Sequence, residues 1–259
     1  MSQMISDQTS IYPDLNGRTV LISGGATGIG KGLVEAFARQ GCKTAFVDID
    51  VTAGQALEAS LKTEGHQVCF IECDITDIEG YQSAIRNVSE NYGPISVLLN
   101  NAANDVRHSL DSLTSEKFDS LVGVNLKHAM FAIQAVVPMM KKAGGGSIIN
   151  FGSVSWMMIQ SGMPAYAASK AAAHGMTRGL ARELGEHNIR INTLVPGWVM
   201  TEKQLSMWVD DAARELIKKN QCMPGELLDE HIAAMALFLG SNASAMCTAQ
   251  DFIVDGGWV

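Results

Sequence analysis

Apolar positions along the chain follow two alternating patterns. Short unbroken runs, TVLIS (19–23), TAFVDID (44–50), VCFIECD (68–74), SVLLNNAA (96–103), SIINFGS (147–153), IRINTLVP (189–196) and DFIVDGG (251–257), read as strands buried on both faces. Between them lie segments whose apolar residues recur every three to four positions. These include KGLVEAFARQG up to Gly41, the stretch after Thr114 containing VGVNLKHAMF, AYAASKAAAHGMTRGLARELG, and DEHIAAMALFLGS. Strand followed by helix, repeated, predicts an α/β fold: one doubly wound parallel sheet with helices on both faces, a single Rossmann-type domain over 1–259. Only 202–225 breaks the alternation and reads as less regular.

Composition narrows the classes. With 47% hydrophobic and 18% charged residues over 259 positions, the chain has enough apolar surface for a substantial core and is unlike a disordered segment. The formal charge of −8 argues against nucleic acid as a partner. No membrane span is expected, and the start, MSQMISDQTSIYPDLNGR, lacks the basic and apolar regions of a secretory leader. Five cysteines, Cys42, Cys69, Cys73, Cys222 and Cys247, are odd in number and form no CxxC pair, which points to reduced thiols and a cytoplasmic location. Neither His128, His174 nor Cys69 shows ligand spacing, so no metal is expected.

Chemistry gathers at two places. After TVLIS the chain runs GGATGIG and then into a helix. A glycine turn between strand and helix lets a pyrophosphate approach the backbone and meet the helix amides. Asp48 stands eighteen residues beyond Gly30, at the carboxyl end of the second strand. A carboxylate there can accept hydrogen bonds from the adenosine ribose hydroxyls and repels a 2′-phosphate, favouring NAD; Asp50 is the better candidate for capping the next helix. The second place is SVSWMMIQSGMPAYAASK (153–170). On a helix, Tyr166 and Lys170 lie one turn apart on the same face. A free phenol is ionised in about one molecule in a thousand at neutral pH, a deficit of roughly 4 kcal/mol that a nearby ammonium can reduce. Ser153, at the end of a strand, would orient the substrate oxygen.

Serine followed thirteen residues later by Tyr-x-x-x-Lys resembles the catalytic set of the short-chain dehydrogenase/reductase family, and other motifs of that family appear in order. Gly24, Gly28 and Gly30 fit T-G-x-x-x-G-x-G with Ser23 for threonine; Asn100, Asn101 and Ala102 fit N-N-A-G with Ala103 for glycine; Pro196, Gly197 and Thr201 fit P-G-x-x-x-T. The resemblance, over roughly residues 15–257, implies a catalytic tetrad of Asn125, Ser153, Tyr166 and Lys170. Asn125 would hold a water that links Lys170 to solvent, and Lys170 would lower the phenol pKa and hold the nicotinamide ribose. The cofactor residues it implies are Gly24, Thr27, Gly28, Ile29, Gly30, Asp48, Asp74, Asn101, Ala102, Tyr166, Lys170, Pro196, Val199 and Thr201. Asp74 reads equally well as a cap for the helix from Asp77, and Ala103 would be strained if its position demanded a positive φ. The resemblance also makes 200–225 a substrate lid and implies a homotetramer built on the helices carrying Asn125 and Tyr166, through segments 129–140 and 171–181.

Around the expected nicotinamide position fall Asn104, Asp105, Arg107 and His108, then Ser153, Trp156 and Gln160, then Trp198 and Met200. Charged and amide groups beside indoles suit a small polyhydroxylated substrate rather than a steroid or acyl chain. NDxRH, the SW after Ser153 and the terminal CTAQDFIVDGGWV further resemble the aldose 1-dehydrogenases of the family. That implies oxidation of a sugar's C1 hydroxyl to an aldonolactone. Two other enzyme readings stay open, a polyol or secondary alcohol dehydrogenase and a 3-oxoacyl-carrier ketone reductase. The competing class is a nucleotide-sensing protein, against which the retained tetrad argues.

Overall fold

In the computed structural model, which describes residues 10–259, strands and helices alternate along the chain. They are β1 (Thr19–Ser23), α1 (Gly28–Arg39), β2 (Lys43–Asp48), α2 (Val51–Thr63), β3 (Val68–Glu72), α3 (Ile78–Tyr92), β4 (Ile95–Asn100), α4 (Ser115–Val122), α5 (His128–Ala143), β5 (Gly146–Phe151), α6 (Pro164–Gly185), β6 (Ile189–Pro196), α7 (Glu202–Met207), α8 (Asp211–Asn220), α9 (Asp229–Gly240) and β7 (Asp251–Val254). Residues 1–9, part of the start read above as lacking a leader, lie outside the described residues.

The strands form one parallel seven-stranded sheet in the order β3-β2-β1-β4-β5-β6-β7. The winding reverses between β1 and β4, so their carboxyl ends diverge and leave a crevice there. Alternate side chains of β1 show how both faces are covered. Val20 and Ile22 pack with Leu33 and Phe37 of α1 and Leu237 of α9, whereas Leu21 packs with Tyr81 and Ile85 of α3 and Val136 of α5. Burial on both sides is why these strands read as continuous apolar runs.

Three sequence readings are corrected. The strands stop earlier than their apolar runs, β3 at Glu72 and β4 at Asn100, so Asp74 and Asn101 to Ala103 belong to loops over the crevice. The segment 202–225 is more regular than expected: Thr201 and Asp210 cap α7 and α8 by accepting from the amides of Gln204 and Ala213. The cap of α3 is Asp77, which accepts from Gly80; Asp74 instead closes a turn onto the amide and hydroxyl of Thr76. Asp50 caps α2 through the amide of Ala53, as its position suggested.

An 18-residue window of the helical run Ser115–Ala143 reaches a mean hydropathy of 1.3, so by length and composition alone the run could cross a membrane. It packs along β4 and β5 and against α3, and it is broken at 123–127 by a π turn. Phe118 and Met130 on it remain exposed.

Candidate active site

The crevice at the carboxyl ends of β1 and β4 opens into a cavity of about 570 Å³. Its floor is the glycine turn. Gly24 has φ +67°, and a Cβ there would lie 2.8 Å from the Cα of Ala102. A Cβ on Gly30 would lie 1.7 Å from the Gly24 carbonyl oxygen, so only glycine lets α1 start this close to β1. Asn101 ties the two loops together: its side-chain amide donates to the carbonyls of Ser23 and Gly24, at 3.0 and 2.9 Å. The Ser23 hydroxyl accepts from the backbone amides of Asn101 and Ala102, which shows what the hydroxyl residue at this position does. Ala103 is not among the residues with positive φ, so alanine is accommodated without strain.

Thr27 precedes α1 with no side-chain cap, so the first amides of the helix, at Gly28, Ile29 and Gly30, face the cavity with the positive end of the helix dipole. That is the donor set a pyrophosphate requires. Asp48 lies at the rim, where its carboxylate accepts from the amides of Ala26, at 2.9 Å, and Asp50, at 3.0 Å. Asp74, Asn101, Ala102, Pro196, Val199 and Thr201 line the same cavity. The fourteen residues expected around a dinucleotide thus surround one cavity, and its shape and donors fit such a group.

Tyr166 and Lys170 reach the cavity from the first turns of α6. The buried face of this helix, Lys170, Ala173, Thr177, Ala181 and Leu184, has helical spacing, which carries the lysine inward to 2% exposure. Its Nζ donates to the Phe151 carbonyl at 2.8 Å and lies 5.7 Å from the centre of the Tyr166 ring. Burial lowers the Lys170 pKa to about 8, with Asp105 opposing. Burial also raises the Tyr166 phenol to about 12, opposed by the Ser153 hydroxyl, reinforced by Asp105 and opposed again by Arg107. Desolvation of the phenolate thus outweighs the Ser153 hydroxyl and the Arg107 charge.

Asn125 sits in the π turn, which re-aims its side chain. Its oxygen accepts from the amide of Asn104 at 2.8 Å, and its nitrogen donates to the carbonyls of Asn104, at 3.0 Å, and Leu121, at 2.9 Å. The side chain thus clamps the loop after β4.

Of the expected substrate residues, Asp105, Arg107, Ser153, Gln160 and Trp198 line the cavity. Four others do not. Asn104 accepts from the amide of Val106 within its own loop. His108 is buried, its Nε2 accepting from the amide of Ala165 at the start of α6 and its Nδ1 3.0 Å from the Val106 carbonyl. Trp156 faces outward and donates its indole N–H to His174. Met200 points into the core beside the bridge joining Val199 to Leu227.

Residues missed by sequence reasoning occupy their place. Lys203 and Gln204 of α7 line the cavity and bind Asp105, at 2.5 and 2.8 Å. Trp198 donates to Gln204 at 3.0 Å and lies 6.4 Å from the ring of Trp258, whose amide is held by Asp255. Arg107 stacks 5.0 Å over Trp208. An Asp105 three residues ahead of His108 signalled a polar site, but nothing local in the sequence pairs it with a lysine ninety-eight residues away.

A family model for "Enoyl-(Acyl carrier protein) reductase" matches residues 24–259. Over 250 residues the chain is 42% identical to a D-xylose 1-dehydrogenase of Caulobacter vibrioides, covering 96% of this chain and 99% of the relative. It is 41% identical over 250 residues to the "Probable galactose dehydrogenase GalD" of Rhizobium meliloti, covering 96% and 98%. A gluconate 5-dehydrogenase from Burkholderia cenocepacia, solved with NADP and tartrate, has the same fold at TM-score 0.88 and 28% identity, over 95% of this chain and 97% of that one. A 7α-hydroxysteroid dehydrogenase complexed with NADH and 7-oxo glycochenodeoxycholic acid does so at TM-score 0.90 and 29% identity, over 95% and 96%.

Proposed function

The chain belongs to the short-chain dehydrogenase/reductase family and is a nicotinamide-dependent dehydrogenase of CH–OH groups; from that premise we propose that it oxidises the C1 hydroxyl of an aldose to an aldonolactone, with NAD as acceptor. The observation that carries this reading is the recess beside Tyr166 and Ser153. It is lined by Arg107, Gln160, Gln204 and the indole of Trp198, donors and acceptors for hydroxyls next to a face for C–H groups. The names of the xylose and galactose relatives support a sugar.

When bound, the nicotinamide ring supplies the two-electron acceptor for the C1 hydride. The chain does the rest. The amides of Gly28, Ile29 and Gly30 bind the pyrophosphate, and Asp48 binds the adenosine ribose and disfavours a 2′-phosphate. Ser153 holds the C1 oxygen, and Tyr166 takes its proton. Among the groups of this chain, the Ser153 hydroxyl and the Arg107 guanidinium favour the phenolate, while burial and Asp105 oppose it. Lys170, fixed by the Phe151 carbonyl beside the Tyr166 ring, would hold the nicotinamide ribose.

The whole chain acts as one dinucleotide-binding domain with about 200–225 as its lid. Free cysteines at all five positions support a cytoplasmic protein. A homotetramer is supported by exposed Phe118 on α4 and Met130 on α5, and by Gly175 and Gly179 on α6, where an added Cβ would meet only open space. The test of the function is NADH formation with pentoses, hexoses and 6-deoxyhexoses, set against linear polyols and 3-oxoacyl substrates. Turnover confined to the last two groups would replace this reading with one of its alternatives.

A further inference from the structure

Asp105 enters the cavity wall with both carboxylate oxygens already engaged. Oδ1 pairs with Lys203 at 2.5 Å, and Oδ2 accepts from Gln204 Nε2 at 2.8 Å. Both partners lie on α7, whereas Asp105 lies on the loop clamped by Asn125 after β4. Gln204 passes the connection on, accepting from the indole of Trp198 at 3.0 Å. A second tie runs in parallel, from Arg107 on the same loop to the ring of Trp208, just past the end of α7. Away from these ties α7 is weakly held: it is a six-residue helix with no buried residue. Its orientation over the cavity therefore depends on polar contacts to the loops after β4 and β6 rather than on packing.

We propose that Asp105 is a positioning residue, which latches α7 over the cavity through Lys203 and Gln204 instead of binding the substrate itself. Lys203 then holds the latch, and the substrate is read by the groups the latched helix encloses, chiefly Arg107, Gln160 and Trp198. Although burial works against ionisation of Asp105, the hydrogen bond and charge of Lys203, with Gln204 and Arg107, hold its carboxyl below the usual range, in keeping with a carboxylate that stays charged. This inference deepens the proposed function, since it concerns the substrate side of the same site, but the latch does not require that the substrate be a sugar.

A double-mutant cycle on the full-length protein separates a latch from two independent substrate ligands. Asp105→Asn and Lys203→Met should each raise the substrate KM about tenfold, the size of a partly exposed ion pair with its hydrogen bond, and should change kcat less than KM. If the two side chains act only through each other, the double variant is no worse than the poorer single one. Multiplicative effects in the double variant, or an unchanged KM in either single variant, would overturn the latch. A second arm needs no substrate. Chymotrypsin should cut between residues 204 and 209, at Leu205 or Trp208, several times faster in both single variants than in the wild-type protein, because the opened helix is the more accessible state. Equal cleavage rates would also overturn the proposal. That arm stays decisive if no aldose is turned over, so failure of the latch and failure of the sugar reading are distinguishable.

Discussion

Replacing Lys170 by methionine should abolish turnover and yet stabilise the folded protein at neutral pH. The ammonium is 2% exposed, and burial moves its pKa from 10.5 to about 8. Keeping it charged below that value costs the folded state about 3 kcal/mol relative to the unfolded chain. Methionine fills similar volume without the charge, but it deprives the Phe151 carbonyl of its donor, a loss of about 1 kcal/mol. The net expectation is a gain of about 2 kcal/mol at pH 7. The sign of the pH dependence follows from the lowered lysine pKa. Between about 8 and 10.5 the unfolded chain binds the extra proton, so wild-type stability climbs relative to the variant as pH rises through that window. Above it, the variant should be the less stable by the lost hydrogen bond. Urea unfolding followed by tryptophan fluorescence, at one protein concentration so that assembly is held fixed, measures both limits. A methionine variant already less stable at pH 7, or a difference that does not vary with pH, would refute the reasoning.

Tyr166→Phe keeps the ring but removes the oxygen that carries the proton, so turnover should fall at least about a thousandfold while NAD affinity changes little; retention of more than about a tenth of wild-type kcat would show that another group is the base. Asp48→Ala should narrow a preference for NAD by weakening NAD and improving NADP, with Asp48→Asn as the control that retains a partner for the Ala26 or Asp50 amide. A wild-type protein with higher kcat/KM on NADP would count against that assignment.

The parts of this site legible in the sequence are those set by local geometry. The turn at Gly24 and Gly30 follows a short apolar strand and opens a helix, and the four-residue step from Tyr166 to Lys170 places both on one face of α6. These residues can be found from spacing because their neighbours in space are their neighbours in sequence. The substrate wall is assembled otherwise. His108 and Trp156 have the right residue types near the right strands, but one caps α6 and the other bonds His174, roles fixed by elements packed far away in the chain. Lys203, Gln204 and Trp208 had no motif to announce them, since a six-residue helix with no buried face reads much like a polar loop. Burial of the phenol is hidden in the same way: spacing reports the nearby lysine but not the desolvation that opposes it.

The central claim, that a hydride leaves the C1 carbon of an aldose, is tested most directly with isotopically labelled sugar. With xylose or galactose deuterated at C1, the reduced cofactor recovered after turnover should carry the deuterium and the sugar product should be the lactone. With the same sugar deuterated at C2, the reduced cofactor should carry none. Deuterium transferred from any position other than C1, or a keto sugar as the product, would contradict the account.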